Sequence, residues 1–323
     1  MPVFNTAKYL NEAIDSILNQ TFRNFEFIII DDASTDGSNN IIKSYKDPRI
    51  VFIENETNKG YVLGLNYAIS IAKGEYIARM DSDDISLESR LQIQIQYLEN
   101  NQNVDLVGSW YQILNSDRIV TLPETHDQIF NSFLKANAIA HPTVMFKKSF
   151  FINSSLSYNY NMMPAEDYDL WVKCIKIGKL ANIPSVLLLY REHQNQISNT
   201  KKKEQVLKAE IIRWNFVLYY LNKLDEKLSI SFNVSEFSTE NKIHTLKYLQ
   251  RNYKSKNVLI DNVISFELQK VQYEVFLNKA NQNIVKLITL IRIYPILFYK
   301  NNPKLIINYV INSLFNFSYL IKK

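Results

Sequence analysis

The chain of 323 residues contains a single cysteine, Cys174. One thiol can build neither a disulfide framework nor a cysteine zinc cluster, and it suits a reducing compartment. Glycine is scarce too, at six residues, and no Gly-rich phosphate-cradling loop is found. The opening residues Met1-Pro2-Val3-Phe4-Asn5 carry neither the basic segment nor the apolar segment of a secretory signal, so a cytoplasmic location is expected. Long hydrophobic runs are missing as well: a bilayer span takes about 20 predominantly apolar residues, and a processive synthase with its own export channel is therefore not expected. Positive charge is dilute. The 37 Lys and Arg against 32 Asp and Glu leave +5, without the dense basic stripe interleaved with aromatics that nucleic acid requires. No nucleic-acid partner is expected, and an anionic membrane face suits the excess better.

The remaining composition is that of a globular chain, 46% hydrophobic, long enough for a large domain and a smaller one. Through the first hundred residues, strand-like runs (Phe25 to Ile30, Ile50 to Ile53, Tyr76 to Met80) alternate with helical periodicity (Ala7 to Gln20, Asn39 to Tyr45, Gly64 to Ala72, Leu87 to Leu98). That alternation predicts an α/β fold, a Rossmann-like, mostly parallel sheet flanked by helices, whose ligands sit beyond the carboxyl ends of its strands. Beyond residue 100 the alternation loosens, with strands expected at Val104 to Trp110, Val144 to Phe146 and Ser185 to Tyr190 and helices at Ile129 to Lys135 and from about Glu166 to Gly178. After Thr200 the sequence turns helical and rich in Lys and Asn, so a domain of residues 1–200 and a helical C-terminal region of 201–323 are expected.

Two of the strands empty into acidic turns, Asp31-Asp32-Ala33-Ser34-Thr35-Asp36 and Asp81-Ser82-Asp83-Asp84. Both lie at carboxyl ends and so face the same crevice. Asp81 and Asp83, two hard oxygen donors on one face, suit Mg²⁺ or Mn²⁺ ligated further by substrate phosphates. Taken alone, the turn is equally well read as a cap for the helix near Leu87. Glu166-Asp167 opens another helix, and Arg191 and His193 follow the last strand.

In this order, Pro2-Val3-Phe4-Asn5, Ile30-Asp31-Asp32-Ala33-Ser34-Thr35-Asp36, Gly74-Glu75-Tyr76-Ile77, Asp81-Ser82-Asp83-Asp84, Glu166-Asp167-Tyr168-Asp169-Leu170-Trp171 and Tyr190-Arg191-Glu192-His193 resemble the family 2 glycosyltransferases, inverting enzymes of the GT-A fold that use nucleotide sugars. The resemblance covers about residues 1 to 200, and the ordered set is far more specific than any one motif. It implies that Phe4 stacks on the nucleotide base with Pro2 beside it, that Asp32 accepts a base N–H, and that Asp31 and Asp36 shape the turn. Asp83 is implied as the direct metal ligand, Asp81 as a second metal or ribose contact, and Asp84 as a helix cap. Asp167 matches the catalytic base, and Glu166 raises its proton affinity or holds the acceptor. His193 is implied as a metal ligand, Arg191 as a diphosphate contact and His141 as part of the acceptor pocket, whereas Arg79, Trp110 and Trp171 are read as packing or loop-anchoring residues. Family members carry further apolar residues ahead of the Pro-Val-aromatic-Asn element, so the first strand is expected to be truncated here, with an exposed sheet edge or a weakened base pocket.

The last third carries two apolar stretches, Ile284 to Tyr299 and Leu305 to Ile321, the second followed by Lys322 and Lys323. An interfacial amphipathic helix is expected, or a helical hairpin packed on protein. The leading reading is a metal-dependent (Mn²⁺ or Mg²⁺) inverting hexosyltransferase, moving a sugar from a nucleotide-sugar donor, UDP-linked first, to a glycan or lipid-linked acceptor in bacterial surface polysaccharide synthesis. It would sit peripherally at the inner face of the cytoplasmic membrane. The alternatives are a catalytically silent binding or scaffold protein of the same fold, and a nucleotidyltransferase, which leaves Glu166 and Asp167 without a task.

Overall fold

Parallel strands with short apolar runs build the first part of the fold. In the computed structural model, whose described residues are 1–194 and 196–224, β1 (Pro2–Val3), β2 (Phe27–Asp31) and β3 (Ile50–Glu54) form a parallel sheet in that order. The crossovers are α1 (Ala7–Leu18) and α2 (Ser38–Ser44), and α3 (Tyr61–Ile71) leads onward. Three- and four-residue spacing puts Leu10, Ala13, Ile14 and Ile17 on one face of α1, which packs with Val3, Ile29, Ile42 and Met80 into one core cluster.

The second sheet takes β4 (Tyr76–Ala78), β5 (Ile85–Ser86), β6 (Leu106–Ile113), β7 (Ile119–Val120), β8 (Met145–Lys147) and β9 (Leu180–Tyr190). Its order is β4-β8-β6-β9-β5, with β7 on β6. Between these strands come α4 (Arg90–Asn100), α5 (His126–Phe133), α6 (Lys148–Asn153) and α7 (Glu166–Ile177), and after them α8 (Ile197–Thr200) and α9 (Lys202–Leu224). The α/β expectation holds, but the mostly parallel sheet is confined to the first three strands. In the second sheet only β6 and β9 run parallel, while β4–β8, β6–β8, β6–β7 and β5–β9 are antiparallel.

Between the sheets lies a cavity of about 820 Å³, lined among others by Phe27, Ile28, Ile77, Met80 and Phe146. Met1 reaches its edge and donates its amino group to the Ile28 carbonyl at 2.9 Å. Burial pushes that amine down to about 5.

Residues 201–224 belong to the same compact unit as the sheets. α9 buries Trp214 and Phe216, and the Phe216 ring meets Phe130 and Phe133 edge-on. Gln205 donates to the Pro164 carbonyl at 2.9 Å, two residues before Glu166. The stretches Ile284 to Tyr299 and Leu305 to Ile321 lie outside the described residues. Among the described residues, no helix is long and apolar enough to cross a membrane.

One buried cation anchors the strand that ends in the Asp81 turn. Arg90, wholly buried, donates to the Arg79 carbonyl (2.6 Å), the Ser86 hydroxyl (3.0 Å), the Gln94 amide oxygen (3.1 Å) and the Val144 carbonyl (3.3 Å). Desolvation, with help from the neighbouring Arg79 charge, lowers it to about 9, so it stays charged at neutral pH. Arg90→Met strands several buried acceptors and should lower unfolding stability by on the order of 3 kcal/mol, read as a shift of the urea midpoint at unchanged slope.

Candidate active site

Three turns at strand carboxyl ends are stitched into one surface by small polar side chains. The Asn5 N–H donates to the Ser34 hydroxyl at 2.9 Å, and its side-chain oxygen accepts from the Thr35 N–H at 2.8 Å. Thr6 donates its N–H to Ser38 (3.1 Å) and its hydroxyl to Ser82 (3.0 Å). Asp36 accepts from the Ala7 N–H at 2.8 Å and the Ser38 hydroxyl at 2.7 Å, and so shapes the turn. Asn5 has a φ of 52°, a left-handed conformation that Asn tolerates. Next to it Phe4 is left 48% exposed, and Pro2 is in β1 paired with Ile30.

Asp32 is buried and already engaged. Its carboxylate accepts from the Asn55 amide (2.9 Å), the Lys59 N–H (2.9 Å) and the Gly60 N–H (2.8 Å), which fastens the 55–60 segment beneath it. A carboxylate offers about four acceptor positions, so roughly one remains. Asp31 keeps a buried oxygen, Oδ1, without a hydrogen-bond partner.

The second acidic turn concentrates charge. One ligand-type atom from each of Asp81, Asp83 and Asp84 lies within 4.8 Å of the others. Asp84 is fully buried, with Oδ1 accepting the Arg191 N–H at 2.9 Å and Oδ2 unpartnered. It does not cap α4, whose N-cap is Ser89. Burial, then repulsion from Asp81 and Asp83, holds the Asp84 carboxyl well above the usual range. Burial and Asp81 raise Asp83 likewise, against the pull of His193, whose Nε2 lies 2.9 Å from Asp83 Oδ2. An orphaned buried oxygen among crowded carboxylates, with an imidazole alongside, fits a hard divalent cation. Asp81 is gripped differently: Arg79 forks its carboxylate at 2.6 and 2.5 Å.

Arg191 lies against this turn, but its guanidinium is engaged. Nε donates to the Asp83 carbonyl at 2.7 Å, Nη2 to Glu12 at 2.6 Å, and the group stacks over Tyr9 at 4.7 Å. It fastens the turn rather than presenting an open fork.

The third group comes from α7. Glu166 and Asp167 occupy its first turn, where the helix dipole favours ionised acids. Burial outweighs the dipole. It pushes Glu166 up to about 7, with repulsion from Asp167 adding to it, and Asp167 up to about 6. The Tyr61 hydroxyl hydrogen-bonds Glu166, whose Oε2 has no partner. Asp167 Oδ2 accepts from the Asn137 amide at 2.9 Å. His141 is close by, Nδ1 4.0 Å from Glu166 Oε1 and Nε2 2.9 Å from the Tyr158 hydroxyl. Burial, assisted by Arg79, drives its proton affinity well down, so it is neutral. Tyr61, Asn137, Tyr158 and Tyr9 escaped the sequence reading because no motif marks them.

Residues 1–158 match the family described as "Glycosyl transferase family 2". An uncharacterized glycosyltransferase of Haemophilus influenzae is 31% identical over 329 aligned positions, covering 97% of this chain and 96% of that one. The chain belongs to the family 2 glycosyltransferases. It is therefore an enzyme of sugar transfer, which removes the nucleotidyltransferase alternative. The UDP-Glc:alpha-D-GlcNAc-diphosphoundecaprenol beta-1,3-glucosyltransferase WfaP of Escherichia coli is 32% identical over 216 positions, covering 65% of this chain and 82% of that one. The fold is that of the mannosyltransferase PcManGT from Pyrobaculum calidifontis, solved with GDP-Man and Mn²⁺. Its TM-score is 0.57 at 15% identity, with 93% of this chain and 79% of that one covered.

A carboxyl whose folded pKa is raised destabilises the glycosyltransferase fold as it ionises, because the native state then binds more protons than the unfolded one. For Glu166 that loss develops as pH rises from about 4.5 to about 7. Glu166→Gln should therefore be the more stable protein above pH 7, by on the order of 2 kcal/mol, with the gap closing near pH 4. Paired thermal melts at the two pH values check this.

Proposed function

We propose that this glycosyltransferase moves a sugar, with inversion, from a nucleotide-sugar donor, UDP-linked first, to a hydroxyl of a lipid-linked glycan. It would do so during assembly of a bacterial surface polysaccharide such as capsule, O-antigen or lipooligosaccharide. The observation that carries the reading is one arrangement: an acidic cluster fit for a divalent cation (Asp81, Asp83 and Asp84) and a carboxyl pair of raised proton affinity, both in the field of buried Arg79. The lipid-linked acceptor is supported by the likeness to WfaP, whose name specifies a diphosphoundecaprenol acceptor.

Asp83 and His193, with Asp81 next to them, would hold Mn²⁺ or Mg²⁺. The ion supplies charge stabilisation to the departing diphosphate. Phe4 stacks on the base beside Pro2, and Asp32 accepts a base N–H at its remaining position. Asp167 takes the acceptor hydroxyl proton as that oxygen bonds to the anomeric carbon and the carbon–diphosphate bond breaks. Its pKa of about 6 leaves it mostly ionised at neutral pH while basic enough to accept a proton. Glu166 and His141 line the acceptor side. Arg191 acts through the Asp83 turn that it fastens. Residues 201–323 are proposed as a helical region whose apolar stretches meet the inner face of the cytoplasmic membrane, with Lys322 and Lys323 at anionic headgroups.

A donor screen tests the reading: purified protein, Mn²⁺ and each common nucleotide sugar in turn, reading nucleoside diphosphate release. One donor should be hydrolysed slowly, with release falling at least about 100-fold in Asp83→Ala and the rate rising with pH through about 6, as Asp167 ionises. Silence with every donor, together with no Mn²⁺-dependent nucleotide binding by calorimetry, would sink the reading and promote the silent scaffold.

A further inference from the structure

Arg79, expected as a packing or loop-anchoring residue, is not accounted for by packing. Its side chain is only 7% exposed, its neighbour Arg90 is another buried guanidinium, and the Arg79 charge lowers Arg90's hold on a proton. A buried ion pair is at best weakly stabilising against apolar groups of the same volume, and a second buried cation makes the arrangement worse. Stability therefore gives no reason for arginine at this position.

We infer that Arg79 is the positioning residue that joins the two halves of the site, its fork holding Asp81 in the acidic cluster and its charge serving the Glu166–Asp167 carboxyls on α7. What those halves do rests on the transferase reading. The geometry is specific. Both Asp81 oxygens are taken, Nη1 to Oδ2 at 2.6 Å and Nη2 to Oδ1 at 2.5 Å. The Arg79 backbone is clamped on both sides, its N–H donating to the Val144 carbonyl at 3.0 Å and its carbonyl accepting from Arg90 at 2.6 Å. A planar fork held this way can swing neither toward solvent nor off the carboxylate, so Asp81 inherits a fixed orientation beside Asp83 and Asp84.

The same charge is felt across the site. The groups around Asp167 are Glu166 and Tyr168 on α7, Tyr61 on α3, Asn137, Tyr158 and Arg79, with Arg213 of α9 facing Tyr168. Together with the Tyr168 N–H, the Arg79 charge opposes the desolvation of Asp167, and it does the same for Glu166.

Two variants separate the two tasks. Arg79→Lys keeps a charge but cannot fork a carboxylate, and Arg79→Met loses both. Mn²⁺ affinity is read without any donor, from free Mn²⁺ by electron paramagnetic resonance. The Asp167 titration is read metal-free by carboxyl ¹³C NMR, on the resonance missing from Asp167→Asn. Both variants should bind Mn²⁺ roughly tenfold more weakly, as loss of an outer-shell partner does. Arg79→Met alone should move the Asp167 midpoint up, by about one unit or more. Variants that keep both the Mn²⁺ affinity and the Asp167 midpoint overturn the inference, as does the same midpoint shift in Lys and Met, or an unaltered protein that binds no Mn²⁺. If Arg79→Met does not fold, Arg79→Lys still decides: weakened Mn²⁺ binding with the midpoint kept supports the inference, and unweakened binding overturns it. Silence in the donor screen would sink the transferase reading and leave both of these readouts standing.

Discussion

Too many carboxylates meet at the ends of too few strands, and the rest of the structure is arranged around that crowding. Asp81, Asp83 and Asp84 come within one small cluster, and burial there disfavours charge while mutual repulsion disfavours it further. The chain answers with hydrogen-bonding groups brought from far along the sequence. Arg191 reaches the Asp83 carbonyl, the Asp84 carboxylate through its N–H, and Glu12, and His193 reaches Asp83. What they leave uncompensated, the Asp84 oxygen above all, makes the turn receptive to a divalent ion.

The same constraint explains why the sheet edge is stitched by hydroxyls and amides. A surface that must hold anions' counter-ions cannot be closed by apolar packing, so Asn5, Thr6, Ser34, Ser38 and Ser82 link the turns by short hydrogen bonds. Each is worth only about 1 kcal/mol net, but together they fix three loops that a parallel sheet alone would leave independent. α9 does the same from the other side, through Gln205 and the Pro164 carbonyl.

Most of the framework was legible because hydrophobic period and turn chemistry agree there. β2, α1 and α7 fall close to where alternation and capping put them, and the acidic turns sit at strand ends as a parallel α/β pattern requires. Two of the misses share one cause, long-range polar compensation. β9 begins at Leu180 rather than Ser185: Asn182, which breaks the apolar run, is held within the strand by its amide nitrogen, which donates to the carbonyls of Pro123 and Ala138 at 2.7 and 3.0 Å. Arg191 looked like an open phosphate fork because Glu12, 179 positions away, is not a neighbour in sequence. The antiparallel pairing of the second sheet was hidden as well, since strands as short as β5 and β7 carry almost no periodic signal.

The α7 pair shows how the fold turns an electrostatic penalty into chemistry. Two adjacent carboxyls pushed up to about 7 and about 6 titrate together, and between those two values they share about one proton. One member can then accept a proton while the other donates a hydrogen bond, two roles that a lone carboxylate at its ordinary pKa of about 4 cannot divide. Desolvation raises both, and the Tyr61 and Asn137 contacts fall on different members. That asymmetry distinguishes Glu166 from Asp167 where the helix dipole, acting on both, does not.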